Sequence, residues 1–179
     1  MKLLTINTAA GLVAGVLTED GKVLSLDGID RFSSPNSARE ILEAGEAGLD
    51  AVANYLAVNK SEAVPLSSVS LAAPVPNPRL ILSVGLNYWK HLNEMDGTPV
   101  PTYPTAFHKT RASLTGSGQH VQVPPQCPDM IDYEGELAVV LGKVCHNVND
   151  EEAMNYIAGY TLANDISARN WVGEVFIAE

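Results

Sequence analysis

A proline-rich segment, residues 73–78 (Ala-Pro-Val-Pro-Asn-Pro), divides the chain into two unequal parts. Proline has no backbone N–H donor and a fixed φ, so this segment can continue neither a helix nor a central strand. We therefore expect a small N-terminal α/β domain over residues 1–73 and a second domain over residues 74–179. Of the 179 residues 46% are apolar and 18% charged, a composition that can bury a substantial core.

The N-terminal part begins with short apolar runs. They predict three strands, over residues 2–7, 11–18 and 22–27. The Asp20-Gly21 pair lies between the last two and suits a tight turn that needs positive φ. A hairpin is therefore expected here.

A helical pattern follows these strands. Ser37 and Glu40 have the spacing of a capping box, which predicts a helix start at Ser37. Gly45 and Gly48 weaken the helix that follows. One long helix and two helices with a break are both open.

The second part is mostly strand pattern with short helices. Strands are predicted over residues 79–84, 120–123, 132–142 and 157–164, and helices or turns over 87–95, from 149 and near 167–172. This order predicts a β-rich α+β domain, so the fold class of the chain is α+β.

The charge and the cysteines narrow the function classes. The formal charge is −10 and no basic run occurs, which argues against nucleic acid or an anionic membrane surface as a partner. No segment is long and apolar enough to span a bilayer. Cys127 and Cys145 form no C-x-x-C pair, so we expect free thiols in a reducing compartment, the cytoplasm or alternatively the mitochondrion.

Three acids, Asp132, Glu134 and Glu136, alternate with other residues at the start of the strand predicted over 132–142. Side chains on a strand have period two, so all three share one face about 6.7 Å apart. At an effective dielectric of about 20, two such charges repel by about 2.5 kcal/mol. Lys and Arg are scarce nearby in the sequence, so we expect no internal salt bridge. Binding of a divalent cation and simple hydration of a solvent-facing side both remain open.

Two further features have both a functional and an ordinary interpretation. Asp165 ends an apolar strand, where it is either a helix cap or a ligand for a cation. His91 and Glu94 are three residues apart, so on a helix they share a face. They form either a general-base pair acting on water or an ordinary surface pair.

Four motifs occur in order along the chain: Gly85, Asn87, Tyr88 and His91; Phe107, Lys109, Ser113, Gly116 and Gly118; Asp132 through Gly142; and Ala158 through Arg169. Together they resemble the fumarylacetoacetate hydrolase family, in its acylpyruvase and oxaloacetate decarboxylase-like branch. The resemblance implies a mixed β-roll after a small N-terminal domain.

The resemblance also implies roles for particular residues. Mg²⁺ or Mn²⁺, with Ca²⁺ as a third option, is expected at Glu134, Glu136 and Asp165, while Asp132 is expected to be structural. His91 and Glu94 correspond to the dyad that activates water or moves protons. Lys109 corresponds to the lysine that meets an anionic oxygen of the substrate. The remaining substrate contacts are assigned to Asn87, Tyr88 and Ser113.

The implied substrate is a small anionic β-keto or β-diketo acid. A homodimer is expected because an incomplete roll exposes sheet edges, which favour dimerisation. Cleavage next to a carbonyl produces an enolate, which a cation stabilises. Hydrolysis of an acylpyruvate or decarboxylation of oxaloacetate is the first expectation. A keto-acid tautomerase and a catalytically silent binding protein are the alternatives.

The family pattern continues beyond Glu179, so an incomplete roll is expected. Three explanations are open: a fragment of a longer protein, a short product that borrows a partner's surface, and a degenerate non-enzyme.

Overall fold

An antiparallel sheet organises the N-terminal part of the chain. The computed structural model describes residues 1–29, 35–95, 97–126 and 129–172. Five strands in this sheet follow the order β4-β3-β2-β1-β5. Their bounds are β1 Lys2–Thr8, β2 Gly11–Leu17, β3 Lys22–Ser25, β4 Val64–Pro65 and β5 Ser70–Leu71. The three predicted strands are confirmed, and the two-residue strands β4 and β5 were not predicted because they are too short to show a period.

The predicted hairpin joins β2 and β3. Gly21 has φ +79°, the left-handed conformation that glycine adopts without strain. Its N–H donates to the Thr18 carbonyl at 3.1 Å, and the Thr18 hydroxyl donates to Asp20 Oδ1 at 2.6 Å. Asp20 and Gly21 therefore form the turn that the sequence predicts.

Two helices, α1 Ala38–Glu43 and α2 Glu46–Asn59, follow the sheet, with a break at Gly45, whose φ is +61°. The capping box is wrong. Ser37 precedes α1, as predicted, but its side chain makes no capping hydrogen bond, and the Glu40 N–H that a capping box requires donates to the Ser37 backbone carbonyl at 3.3 Å. The first helical N–H, that of Ala38, donates to the Thr5 hydroxyl at 3.1 Å. The Glu40 carboxylate accepts from the backbone N–H of Asn36 instead.

The apolar core lies between this sheet and the two helices. It consists of Ala14, Val16, Leu24, Leu26, Ile29, Ile41 and Val52. Among the described residues, every buried apolar side chain comes from residues 6–73, whereas the second part buries the polar Ser83 and Asp165. The N-terminal part thus has a hydrophobic core of its own.

The second part contains three antiparallel strand pairs: β6 Ile81–Gly85 with β7 Thr105–Lys109, β8 Ile131–Asp132 with β11 Ser167–Ala168, and β9 Gly135–Leu141 with β10 Ile157–Asn164. Helix α3 spans Trp89–Glu94 and α4 spans Asp150–Ala153. Asn149 caps α4 by accepting from the Glu152 N–H at 2.9 Å. Strands predominate over short helices, which confirms the α+β prediction.

Two strand predictions are wrong. The segment predicted as one strand over residues 132–142 is divided into β8 and β9, because the chain changes its pairing partner from β11 to β10 between them. Residues 120–123 form no strand in the described part of the chain. Val121 and Val123 there are 48% and 46% exposed, so alternation alone did not indicate a paired strand.

Strand β9 has two unlike faces. Glu136, Ala138 and Val140 are half-buried, whereas the residues between them are exposed. The exposed side chains of β9 and β10 form what we call the apolar face: Leu137, Val139, Leu141, Tyr160 and Leu162. Glu136 lies on the opposite, half-buried side of β9, and Asp132 and Glu134, which precede this strand, are half-buried as well.

The remaining sequence predictions concern membranes and thiols. Within the described ranges no helix combines the length and hydropathy that a membrane span requires. Cys145 is a free, exposed cysteine. Cys127 lies outside the described residues.

Candidate active site

Backbone hydrogen bonds bring the acidic segment and Asp165 together. The Asp165 N–H donates to the Glu134 carbonyl at 2.8 Å, and the Glu134 N–H donates to Asn164 Oδ1 at 3.0 Å. Next to them, Glu136 of β9 pairs with Ala163 of β10. Acids from two separate strands therefore lie side by side, although 31 positions separate Glu134 from Asp165 in the sequence.

Asp165 is the most enclosed of these acids, with 8% of the residue exposed. Its Oδ1 accepts from the ammonium of Lys109 at the end of β7. Its Oδ2 accepts from the hydroxyl of Ser83, in the middle of β6, at 3.3 Å. Both carboxylate oxygens thus have partners on the β6–β7 hairpin, which fixes the orientation of the side chain.

Glu134 and Asp132 share a second cation. Arg169 Nη1 lies 2.7 Å from Glu134 Oε1, and Arg169 Nε donates to Asp132 Oδ2 at 3.0 Å. The Ser167 hydroxyl donates to the same Glu134 oxygen at 3.2 Å. The Arg169 hydrogen bond, together with the Tyr133 N–H, lowers the pKa of Asp132 below its ordinary value.

These ion pairs correct the expectation that no internal salt bridge is available. Arg169 and Lys109 supply the counter-charges, and both lie far along the chain from their partners. Sequence proximity was the wrong criterion, because antiparallel pairing of β8 with β11 brings Arg169 back to Asp132.

Glu136 lies beside other negative charges, and its pKa shows the effect. Burial raises the pKa of its carboxyl, and repulsion from Asp165 and then Glu134 raises it further, while Lys109 opposes the shift. Asp165 and Glu134 are therefore close enough to Glu136 to disfavour its charge.

The donor set fits a divalent cation by its chemistry. Carboxylate oxygens are the ligands that Mg²⁺, Mn²⁺ and Ca²⁺ prefer. Two of these carboxylates already have a cationic partner: Lys109 pairs with Asp165, and Arg169 pairs with Glu134. Across the described ranges, however, no three His, Cys, Asp or Glu side chains are placed to hold one metal ion together. Binding a cation here therefore requires side chains to rearrange.

Helix α3 carries the predicted dyad. His91 is half-buried and Glu94 is exposed on the same short helix. In the part of the chain that the structure describes, no hydrogen bond joins them, and Glu94 Oε1 instead lies 3.9 Å from Lys90 Nζ. The dyad is thus placed on one helix but is not hydrogen-bonded.

Tyr88 connects α3 to the acidic strand. Its hydroxyl accepts from the Leu137 N–H, one residue beyond Glu136, at 2.9 Å. Leu86, two residues before Tyr88, has φ +55°, a conformation that is strained for a leucine. The Tyr88 hydrogen bond holds the start of α3 beside β9.

The other predicted substrate contacts lie at different positions. Asn87 is exposed beside Tyr88. The Ser113 hydroxyl donates to the Thr110 carbonyl at 2.7 Å, which closes a short turn after β7. In this arrangement the Ser113 hydroxyl stabilises the local backbone turn.

Gly116 and Gly118 follow that turn and are glycines for two different reasons. A Cβ on Gly116 would lie 2.7 Å from Ala72 Cα, so the backbone there packs directly against the backbone at the end of the N-terminal part. Gly118 has φ +76° and open space around it, so its requirement is conformational.

Sequence reasoning missed four residues that contact the acids: Ser83, Asn164, Ser167 and Arg169. Ser83 could have been found, because a serine inside an apolar strand pattern indicates a buried polar contact. The other three lie within the Ala158–Arg169 motif, where only Asp165 received a role.

Comparison with known proteins identifies relatives. Residues 80–175 match the family described as fumarylacetoacetate (FAA) hydrolase C-terminal. The chain is 37% identical over 155 residues to the mitochondrial oxaloacetate tautomerase fahd2 of Xenopus laevis, covering 87% of this chain and 47% of that protein. It is 38% identical over 151 residues to the mitochondrial oxaloacetate tautomerase FAHD2A of Homo sapiens, covering 84% and 47%. The chain thus spans about half the length of the curated relatives it matches.

Solved structures give the same result. The fumarylacetoacetate hydrolase of Exiguobacterium antarcticum superposes with a TM-score of 0.74 at 26% identity, covering 98% of this chain and 59% of that one. The 5-carboxymethyl-2-hydroxymuconate delta-isomerase of Mycobacterium smegmatis superposes with a TM-score of 0.66 at 27% identity, covering 97% and 57%. Because the family match covers more than half of the residues and the fold agrees, this chain belongs to the fumarylacetoacetate hydrolase family.

Proposed function

We propose that this chain takes part in the interconversion of the keto and enol forms of a small dicarboxylic keto acid such as oxaloacetate. The observation that carries the proposal is the convergence of Asp165, Glu134 and Glu136 with the ammonium of Lys109. The names of the two curated relatives describe oxaloacetate tautomerases, which favours this reaction over C–C cleavage.

Keto–enol interconversion moves one proton. A C–H proton next to the carbonyl leaves the substrate, and a proton is added to the carbonyl oxygen, where negative charge develops in between. A divalent cation held by Glu134, Glu136 and Asp165, Mg²⁺ or Mn²⁺ or alternatively Ca²⁺, supplies Lewis-acid polarisation of the keto and carboxylate oxygens when bound.

The side chains of this chain perform the other tasks. His91 takes the carbon-bound proton on its imidazole and delivers a proton to the oxygen, and Glu94 orients the ring through the second nitrogen. Glu94 Oε1 lies 3.9 Å from Lys90 Nζ, so this role requires a rotation of the Glu94 side chain. The Lys109 ammonium binds an anionic oxygen of the substrate.

Three polar side chains complete the proposed substrate site. Asn87 and Tyr88 lie at the start of α3, and Ser113 lies in the turn after β7. Tyr88 is held against β9 through the Leu137 N–H, which keeps this side of the site next to Glu136. We assign all three to substrate binding.

Hydrolysis of acylpyruvates and decarboxylation of oxaloacetate form the second candidate function. The solved relative from Exiguobacterium antarcticum is named a fumarylacetoacetate hydrolase, and C–C cleavage passes through the same enolate charge. A catalytically silent binding protein is the third candidate function.

The names of both curated relatives place those proteins in mitochondria, which favours the mitochondrial alternative for this chain over the cytoplasm.

The test follows the ultraviolet absorbance of enol-oxaloacetate after addition of the purified chain. With Mn²⁺ the wild type should accelerate the loss of enol, and EDTA or Glu136→Gln should remove the acceleration. His91→Asn should lower the rate by about 10²-fold or more, the usual contribution of a general base. Glu19→Gln, in the exposed β2–β3 turn, is the control for loss of one acid.

Two outcomes would contradict the proposal. Release of CO₂ or cleavage of an acylpyruvate, without faster enol loss, would indicate the second candidate function. Folded chain that binds Mn²⁺ and leaves every rate unchanged would indicate a binding protein.

A further inference from the structure

Lys109 has two assignments that cannot hold at the same time. Its ammonium is bonded to Asp165 Oδ1, yet the proposed function requires the same ammonium to meet an anionic oxygen of the substrate and requires Asp165 to ligate a cation. The side chain of Asp165 is 7% exposed and that of Lys109 27%, so this ion pair is enclosed on the Asp165 side and open on the Lys109 side.

A divalent ion at Asp165 changes the forces on Lys109. It replaces the ammonium as the nearest positive charge and repels it, since like charges at short range disfavour each other. Lys109 is the last residue of β7 and its flexible stem has access to solvent, so the ammonium can withdraw without moving the strand.

Two neighbours make the exchange feasible. The Ser83 hydroxyl still donates to Asp165 Oδ2 after Lys109 leaves, so the carboxylate keeps its orientation. The Lys109 ammonium already lies 5.7 Å from the centroid of the Phe107 ring, a second favourable environment for a cation.

We propose that Lys109 is the internal occupant of the cation site, and that a divalent ion displaces it from Asp165 and thereby releases it for the substrate. The inference rests on the proposed function, since it uses the same cation site. It predicts that Lys109 lowers the affinity for metal, and that metal binds before the keto acid.

Calorimetric titration with MnCl₂ alone provides the first test. Lys109→Met removes the competing charge but keeps the length of the side chain, so we expect Mn²⁺ to bind about tenfold more tightly than to the wild type, which corresponds to about 1.4 kcal/mol of lost competition. Lys22→Met is the matched control. Lys22 also pairs with an aspartate, Asp20, at 3.2 Å, but does so in the N-terminal sheet, and its loss changes the net charge equally. The Lys22→Met variant should bind Mn²⁺ with the same affinity as the wild type.

Acetylation of lysine amines in the wild-type chain provides a second test that needs no variant. A trace of acetic anhydride is added with Mn²⁺ or with EDTA, and mass spectrometry measures the modified fraction of each lysine. Displacement predicts that the modification of Lys109 rises several-fold with Mn²⁺ while that of Lys22 is unchanged.

The outcomes separate this inference from the proposed function. Mn²⁺ binding to Lys109→Met with equal or lower affinity than to the wild type overturns the displacement but leaves the cation site intact, as does constant or lower acetylation of Lys109 with Mn²⁺. Absence of Mn²⁺ binding to wild type and variant alike overturns both.

Discussion

Arg169 Nη1 lies 2.7 Å from Glu134 Oε1, and the same guanidinium donates to Asp132. One arginine therefore contacts two of the three alternating acids, while Lys109 pairs with Asp165. Two cations thus meet four carboxylates, those of Asp132, Glu134, Glu136 and Asp165, and the cluster keeps a surplus of negative charge. The stability of the metal-free protein should accordingly depend on Arg169 and on the charge of Glu136.

Replacement of Arg169 by Met should destabilise the protein. Both acids lose their counter-charge and repel each other, and loss of the Glu134 pair alone corresponds to about 1 kcal/mol. Urea unfolding at neutral pH in EDTA measures the change. Lys90→Met removes an ion pair of 3.9 Å between largely exposed groups and should leave the unfolding midpoint unchanged. Equal midpoints for Arg169→Met and wild type would show that hydration alone satisfies the acids.

The charge of Glu136 should make metal-free stability fall as pH rises. Its folded pKa lies above the ordinary 4.5, so the folded state holds this proton more tightly than the unfolded state does. Stability is therefore lost as pH rises from about the ordinary value through the raised one, and the loss is complete above it. Asp132, whose pKa is lowered by Arg169, acts in the opposite direction at lower pH.

Glu136→Gln isolates this effect. The variant should be more stable than the wild type at pH 7 in EDTA, and the difference should become small at about pH 4, where the carboxyl is mostly protonated in both states. Urea titrations at the two pH values measure it, with Glu19→Gln as the control at an exposed site. A difference of the same size at both pH values would assign the effect to packing instead of charge.

Gly116→Ala should disrupt the contact between the two parts of the chain. The new Cβ meets backbone atoms of Leu71 and Ala72, with Ala72 Cα at 2.7 Å, and backbone cannot yield as a side chain can. We expect a loss of about 1–3 kcal/mol, typical of overpacking. Gly159→Ala, with no atom within 4 Å of its Cβ, is the matched control and should be near neutral. Thermal unfolding compares them.

The apolar face should promote self-association, in keeping with the predicted homodimer. Leu162 in β10 is 84% exposed, next to the other apolar side chains of this face. Contiguous apolar surface favours association. Leu162→Glu should shift the mass measured by light scattering towards the monomer, whereas Val58→Glu, an 80% exposed position on α2, should not. A monomeric wild type at high concentration would contradict the prediction.

The sequence predicted the acids well and their partners poorly. The alternation of exposed and half-buried residues, with Asp132, Glu134 and Glu136 all half-buried, follows the predicted period of two, because that alternation is a local property of extended backbone. Arg169 and Ser83 reach the acids only through strand pairing, which depends on contacts between distant parts of the chain. The same cause explains why the strand predicted over 132–142 divides into β8 and β9 where the pairing partner changes.

Helix signals show the same limit. Gly45 breaks the helix as its conformational freedom allows. Ser37 precedes α1 as predicted, but its side chain makes no cap, and Thr5, 33 residues from Ala38, accepts from the first helical N–H. For the dyad, three-residue spacing placed His91 and Glu94 on one helix. It could not determine that Glu94 faces Lys90.

The two faces of β9 restrict where this protein can change length during evolution. Inserting one residue between Gly135 and Glu136 would reverse the orientation of every later side chain in the strand and exchange carboxylate for leucine. The irregular pairing between Ile157 and Gly159 lies at the opposite end of the sheet from Glu136. Insertions and deletions of single residues should therefore be tolerated in the 142–156 connection and selected against at the start of β9, around Gly135 and Glu136.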